Sequence, residues 1–140
     1  MILIDTNVIS ELWRLTPDAH VLAWVDAQAI ETLYLSAVTV AELRFGLAAM
    51  PAGRRRTTYQ SRLEREVLPG FTGRVLPFDL PASQAYAELM ANAQAAGRAI
   101  GKADGYIAAT AAACGLMVAT RDTSPFEAAG LNVINPWESS

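Results

Sequence analysis

The stretch KADGYIAATAAACGLMVATRD, residues 102–122, decides the fold. It opens as an alanine-rich helical pattern that closes on Gly115, where a residue without Cβ readily takes the left-handed turn that ends a helix. "LMVA" follows as a short, unbroken apolar run ended by polar residues, the pattern of a strand buried on both faces of a parallel sheet. Asp122 comes just after that strand, at its carboxyl end. A helix feeding a buried strand that ends on a carboxylate is one unit of an α/β fold.

Working outward, the same signals recur. "MILI" at the N-terminus, "TLYLS" in the first third and "LNVINP" near the C-terminus read as further buried strands, and "RVLPFD" as a short one. Ser36 is placed to cap a helix through "AVTVAELRFGLAAM", which stops at Pro51 and Gly53. A charged helix is expected through "RRRTTYQSRLEREVL", ending before Pro69-Gly70. "PASQAYAELMANAQAAG" starts on a proline and stops at Gly97. Strands alternating with helices predict a layered α/β architecture with a mostly parallel central sheet. No repeat or long linker divides the chain, so residues 1–140 are read as one domain.

Composition narrows the classes. The chain has 140 residues, 52% of them hydrophobic and 18% charged, which suits a globular domain with a real core and argues against disorder. No apolar run reaches the roughly 20 residues that span a bilayer, and no signal peptide is read at the N-terminus. A single cysteine, Cys114, rules out a disulfide framework and is expected to be a small core residue of a reduced, cytoplasmic protein. A net charge of −3 disfavours a dedicated nucleic-acid-binding scaffold but allows an enzyme that meets phosphates through a metal and a local basic patch.

Most acidic residues, such as Glu64, Glu66, Glu88 and Glu138, read as solvated surface. Four do not. Asp5 follows "MILI" and Asp122 follows "LMVATR", at the strand ends where open α/β sheets bind ligands. Glu42 shares helical spacing with Val38, Phe45 and Ala49, and Asp104 with Ile107, Ala108 and Ala111, which places both on apolar stripes. Buried carboxylates are costly unless paired or bound to metal, and Arg44 and Lys102 lie two positions away, on other sides of their helices. Each has an ordinary alternative: Asp5 or Asn7 caps the helix that begins near Val8, Asp122 caps a turn, and Glu42 and Asp104 reach water at a stripe's edge. As a set, two strand-end and two helix-face carboxylates can converge on one cleft. An all-oxygen donor set favours Mg²⁺ or Mn²⁺ over zinc. The sole histidine, His20, reads as part of a surface helix.

"ILIDTNVISEL", "LYLSAVTVAELRFGL", "KADGYIAATAAACGLMVATRDTSPF" and "LNVINPW", in that order, resemble the PIN-domain ribonucleases. The resemblance is strongest to the VapC-type toxins of bacterial toxin–antitoxin pairs, in the branch that includes FitB. It implies a PIN-like three-layer fold and metal-dependent endonucleolytic hydrolysis of RNA. It carries the family's acidic metal-binding and catalytic positions onto Asp5, Glu42, Asp104 and Asp122, and its supporting hydroxyl positions onto Thr6 and Thr120. The chain departs from the pattern at Pro125, where many members carry a further aspartate. The resemblance also implies a homodimer, inhibition by a cognate antitoxin, and contact with DNA only through that antitoxin.

Arg98, Lys102 and Arg121 stand near the carboxylates in sequence and are candidates for RNA-phosphate contacts. Arg54, Arg55 and Arg56, extended by Arg62 and Arg65, read as a solvated helix start. Leu12, Trp13, Leu47 and Met50 suit either the core or a contact with antitoxin or a second subunit. Trp24 and Tyr106 read as core or interface. An aspartyl-nucleophile phosphatase would want an aspartate where the chain has Asn7, and a receiver domain lacks its acidic pair. A non-catalytic PIN-like module that only binds the antitoxin within a DNA-binding repressor complex is the alternative from another class.

Overall fold

The structure, a computed structural model, describes residues 1–138. Five strands, β1 (Ile2–Ile4), β2 (Leu33–Ser36), β3 (Val75–Leu76), β4 (Met117–Ala119) and β5 (Val133–Ile134), form one sheet in the order β3-β2-β1-β4-β5. Every pairing is parallel, so the sheet is wholly rather than mostly parallel. The helices are α1 (Thr6–Leu12), α2 (Ala19–Asp26), α3 (Ala37–Ala48), α4 (Arg54–Arg62), α5 (Leu80–Ala95), α6 (Lys102–Cys114) and α7 (Ser124–Ala128).

Strand alternation creates two cores. Ile2, Ile4, Leu33 and Leu35 point to one face of the sheet, where they pack with Val8 and Ile9 of α1 and Val40, Leu43 and Leu47 of α3. Leu3 and Val118 point to the other face, against Leu89 of α5, Ile107, Ala108 and Ala111 of α6, and Phe126 of α7. Helices on both faces give the three-layer α/β arrangement expected of the sequence.

The chain builds β2 and β3 on one side of β1 and β4 and β5 on the other. The strand order therefore reverses between β1 and β4, and the crevice at their carboxyl ends is where such sheets bind ligands. Helix α6 brings its first turn, with Asp104, to that crevice, and it lies very close to α5. A Cβ on Gly105 would stand 3.0 Å from both Met90 Sδ and Tyr86 Cε2, so only glycine fits there without displacement. At its other end α6 closes on Gly115, at φ +67°, and the chain turns straight into β4.

Three local expectations change. The charged helix does not end before Pro69-Gly70. After α4 the chain continues through a π-helical turn, Leu63–Val67, and a 3₁₀ turn, Leu68–Phe71, whose early proline needs no N–H donor. Cys114 is exposed, not in the core, because the last turn of α6 runs past the edge of the packed layer. On α3 the buried face is Thr39, Val40, Leu43 and Leu47, while the stripe through Glu42 faces outward, with Phe45 75% exposed. His20 lies exposed on α2, as read.

Candidate metal centre

Asp5 joins strand to helix. Its backbone N–H donates to Ala119 O at 3.0 Å, extending the β1–β4 ladder by one bond. Its φ of −73° and ψ of 159° then leave the strand for α1, which it caps: Oδ1 accepts from Thr6 N at 2.8 Å. The other oxygen, Oδ2, accepts from the Thr120 hydroxyl at 2.8 Å and from Asn7 Nδ2 at 3.4 Å. Asp5 thus caps α1 from the carboxyl end of β1. Only 5% of its surface is exposed, and that burial pushes its pKa up to about 6, against the bonds from Thr120 and Thr6 that favour the ion. The charges of Asp104 and Glu42 add to the upward shift.

Asp5, Glu42 and Asp104 line one cavity of about 490 Å³, together with Thr6, Asn7, Ser10, Glu11, Arg14, Arg121 and Trp137. Glu42 reaches it from the exposed face of α3, held by a 2.7 Å hydrogen bond from the Thr6 hydroxyl. The Thr6 and Thr39 hydroxyl oxygens are 3.3 Å apart, and Ser36 Oγ donates to Thr39 at 3.1 Å, so a row of hydroxyls backs that bond. Asp104 lies half-buried in the first turn of α6, where burial raises its pKa and the charges of Asp122 and Glu42 raise it further. Asp122 is exposed and does not line the cavity, but its charge is felt at Asp104. None of these four carboxylates is in an ion pair among the described residues.

The hydroxyl supports are crossed relative to sequence order. Thr6 offers Asp5 its backbone N–H and gives its side chain to Glu42. Thr120 gives its side chain to Asp5, while its oxygen accepts from Asp122 N at 3.1 Å. Adjacency of β1 and β4 explains this, since it sets Thr120 beside Asp5. Arg121 lines the cavity and its guanidinium lies 5.2 Å from the Trp137 ring centroid. Arg98 lines a different cavity, with Met90 and Gln94, and Lys102 is exposed at the start of α6 outside the acidic cavity.

Sequence reasoning missed three contributors. Asn7 ties the site together: Nδ2 donates to Thr120 Oγ1 at 3.1 Å and Oδ1 accepts from Arg121 N at 3.3 Å. Its only signal is its place in the first helical turn after Asp5. Glu11 is buried and accepts from Asp18 N at 2.9 Å and from Arg14 Nη1 at 3.4 Å, which fixes the α1–α2 connection. It lies three residues after Val8, so the stripe argument applied to Glu42 would have found it. Trp137 carries no local signal of facing the cleft.

Among the described residues, no three His, Cys, Asp or Glu side chains are grouped closely enough to hold a metal ion together. Asp5 and Glu42 are instead held apart by donors from neighbouring elements, Thr120 on Asp5 and Thr6 on Glu42. The donor set still fits a hard divalent cation. Mg²⁺ keeps several waters and is commonly bound by only one or two carboxylates plus substrate phosphate. A buried, unpaired carboxylate flanked by two others is the electrostatic setting that such an ion relieves.

The PIN-domain profile matches residues 2–131. The chain belongs to the PIN-domain family. Within that family it is 76% identical to VapC ribonuclease Y4jK of Sinorhizobium fredii, over 99% of both chains. It is 52% identical to toxin FitB of Neisseria gonorrhoeae, over 98% of this chain and 99% of that one. The crystal structure of FitAcB from Neisseria gonorrhoeae matches this PIN domain with a TM-score of 0.97 at 51% identity, covering 99% of this chain and 100% of that one. A structure of FitAB bound to an IR36 DNA fragment matches equally well, with a TM-score of 0.97 at 48% identity over 100% and 98% of the two chains. No helix among the described residues is long and apolar enough to cross a membrane.

Proposed function

We propose that residues 1–140 act as a single PIN domain that is the toxin of a toxin–antitoxin pair, a Mg²⁺- or Mn²⁺-dependent endoribonuclease. The observation that carries this reading is Asp5: a buried carboxylate at the sheet's carboxyl edge, sharing one cavity with Glu42 and Asp104, without a cationic partner. The identity to a VapC ribonuclease supports the nuclease class, and the oxygen-only donors support the metal.

Asp5 and Asp104 would hold the ion, with Glu42 and Asp122 at its margin. When bound, the ion acidifies water and offsets negative charge on the scissile phosphate. The chain's own groups prepare that setting. Thr6 N–H and the Thr120 hydroxyl fix the two oxygens of Asp5 and favour its ionised form. Thr6 also holds Glu42 Oε1, leaving the other oxygen to accept a hydrogen bond or proton from water in the cavity. Arg121, braced on Trp137, and Arg14 place positive charge at the rim, where a phosphate approaches.

A cognate antitoxin partner, indirect contact with DNA through it, a homodimer and a cytoplasmic location complete the proposal. The likeness to FitAcB and to FitAB bound to DNA supports the partner and the indirect DNA contact. The test uses protein freed of antitoxin. RNA should be cleaved with Mg²⁺ or Mn²⁺, and EDTA or Asp104→Asn should abolish cleavage while the circular dichroism spectrum stays folded. Cleavage that survives both treatments refutes the metal site. No cleavage with either metal, alongside tight binding to a co-encoded protein, would leave the non-catalytic binding module in its place.

A further inference from the structure

Arg14 lines the acidic cavity and also a neighbouring groove of about 540 Å³. Three more arginines, Arg54, Arg55 and Arg62, line that groove along α4, with Trp13 and Tyr59 between them, and no carboxylate lines it among the described residues. Four of the chain's 11 lysines and arginines thus gather beside the acidic site of a protein whose net charge is −3. Such a cluster repels itself, and a ligand with regularly repeated negative charge relieves that repulsion.

The groove is also ordered. Trp13 and Tyr59 stack with centroids 6.2 Å apart and planes inclined by 11°. The Arg55 and Arg62 guanidiniums stand 5.6 and 5.7 Å from the Tyr59 ring centroid, which holds them in place before any ligand arrives. Other arginines of the chain are committed to the fold: Arg56 donates to Met50 O at 3.3 Å, and Arg44 makes a bidentate pair with Glu64. Arg54 and Arg55 are in no ion pair among the described residues. Arg14 and Arg62 are only loosely paired, at 3.4 Å to Glu11 and 3.7 Å to Glu66.

Resting on the ribonuclease reading, we infer that this groove is the track for the substrate strand: single-stranded RNA whose cleaved phosphate lies in the acidic cavity runs on over Arg14 and along Arg54, Arg55 and Arg62. Arginines bind the backbone, with the stacked aromatic pair fixing their positions, an arrangement that suits a single strand irrespective of sequence. Helical spacing sets Arg55 and Arg62 on the same face of α4 as Tyr59, and that face lies in the groove that shares Arg14 with the acidic cavity.

The test is fluorescence anisotropy with a labelled oligouridylate of about 20 nucleotides, in EDTA so that binding is separated from cleavage. Replacing Arg54, Arg55 and Arg62 together by alanine should raise Kd at least about tenfold. The slope of log Kd against log salt should fall by about 2, from about 0.7 per lost phosphate contact. In cleavage assays the same variant should raise KM and retain kcat. If the triple variant fails to fold, Arg55→Ala alone decides, with an expected slope change of about 0.7. Unchanged Kd and slope overturn the track, as does a variant that binds oligouridylate normally but no longer binds the antitoxin. Wild-type protein that binds oligouridylate through these arginines yet cuts no RNA would instead sink the nuclease reading and leave the groove standing.

Discussion

Asp5→Asn should change stability by an amount that grows with pH, in favour of the variant. Asp5 is almost fully buried, and its pKa of about 6 lies above the ordinary aspartate value of 3.8. The folded state therefore holds this proton over a pH range in which the unfolded chain has released it. Stability falls as pH rises from about 4 through 6, and the ionised group costs the metal-free fold about 3 kcal/mol above that range. Between pH 5 and 7.5 the loss is about 1 kcal/mol, because part of the titration lies below pH 5. The amide of the variant carries no charge, but its NH₂ group cannot accept a hydrogen bond, so it cannot serve both Thr6 N–H and the Thr120 hydroxyl as the carboxylate does. The protonated wild-type carboxyl shares that limit, so the amide differs from it by an amount independent of pH, which cancels in the comparison. Urea unfolding of both proteins in EDTA at the two pH values measures the difference directly. The variant should gain about 1 kcal/mol relative to wild type on going from pH 5 to 7.5. A stability difference independent of pH, or one that moves the other way, would show that burial does not dominate the Asp5 environment.

Two further perturbations probe the supports of the site. Thr120→Val removes the donor to Asp5 and the acceptor of Asn7 and the Asp122 N–H, all at a fully buried position. It should destabilise the protein by about 2–3 kcal/mol in urea titrations and weaken Mn²⁺ binding at least about tenfold by calorimetry. Gly105→Val places a branched side chain where even a Cβ meets Met90 and Tyr86 at 3.0 Å, and Tyr86 is itself stacked on Tyr106 at 4.8 Å. It should cost about 1–3 kcal/mol by thermal unfolding and, by moving α6, lower cleavage more than that loss of stability explains.

Short apolar runs bounded by polar residues carry the five strands, and proline and glycine punctuation carries most helix ends, because both signals are local. What is not legible comes from pairing across the chain. Thr120 stands in the sequence as a supporting hydroxyl, but that it serves Asp5 and not Asp122 follows from β4 lying beside β1, with the two partners 115 positions apart. Glu42 shows a second kind of gap. Its spacing sets it on an apolar stripe, yet that face of α3 is open to solvent, and the apolar neighbours that make it look buried include the exposed Phe45. The residue lines the cavity all the same, because α1 begins at Thr6 and turns its hydroxyl onto Glu42. A stripe of apolar residues says that a helix face is covered, not by what or when. On α6 the cover is the sheet and α5, and Asp104 stands at its edge. On α3 the described residues leave Phe45 open, so the apolar signal there has no explanation within the fold and the carboxylate beside it has one only in the site.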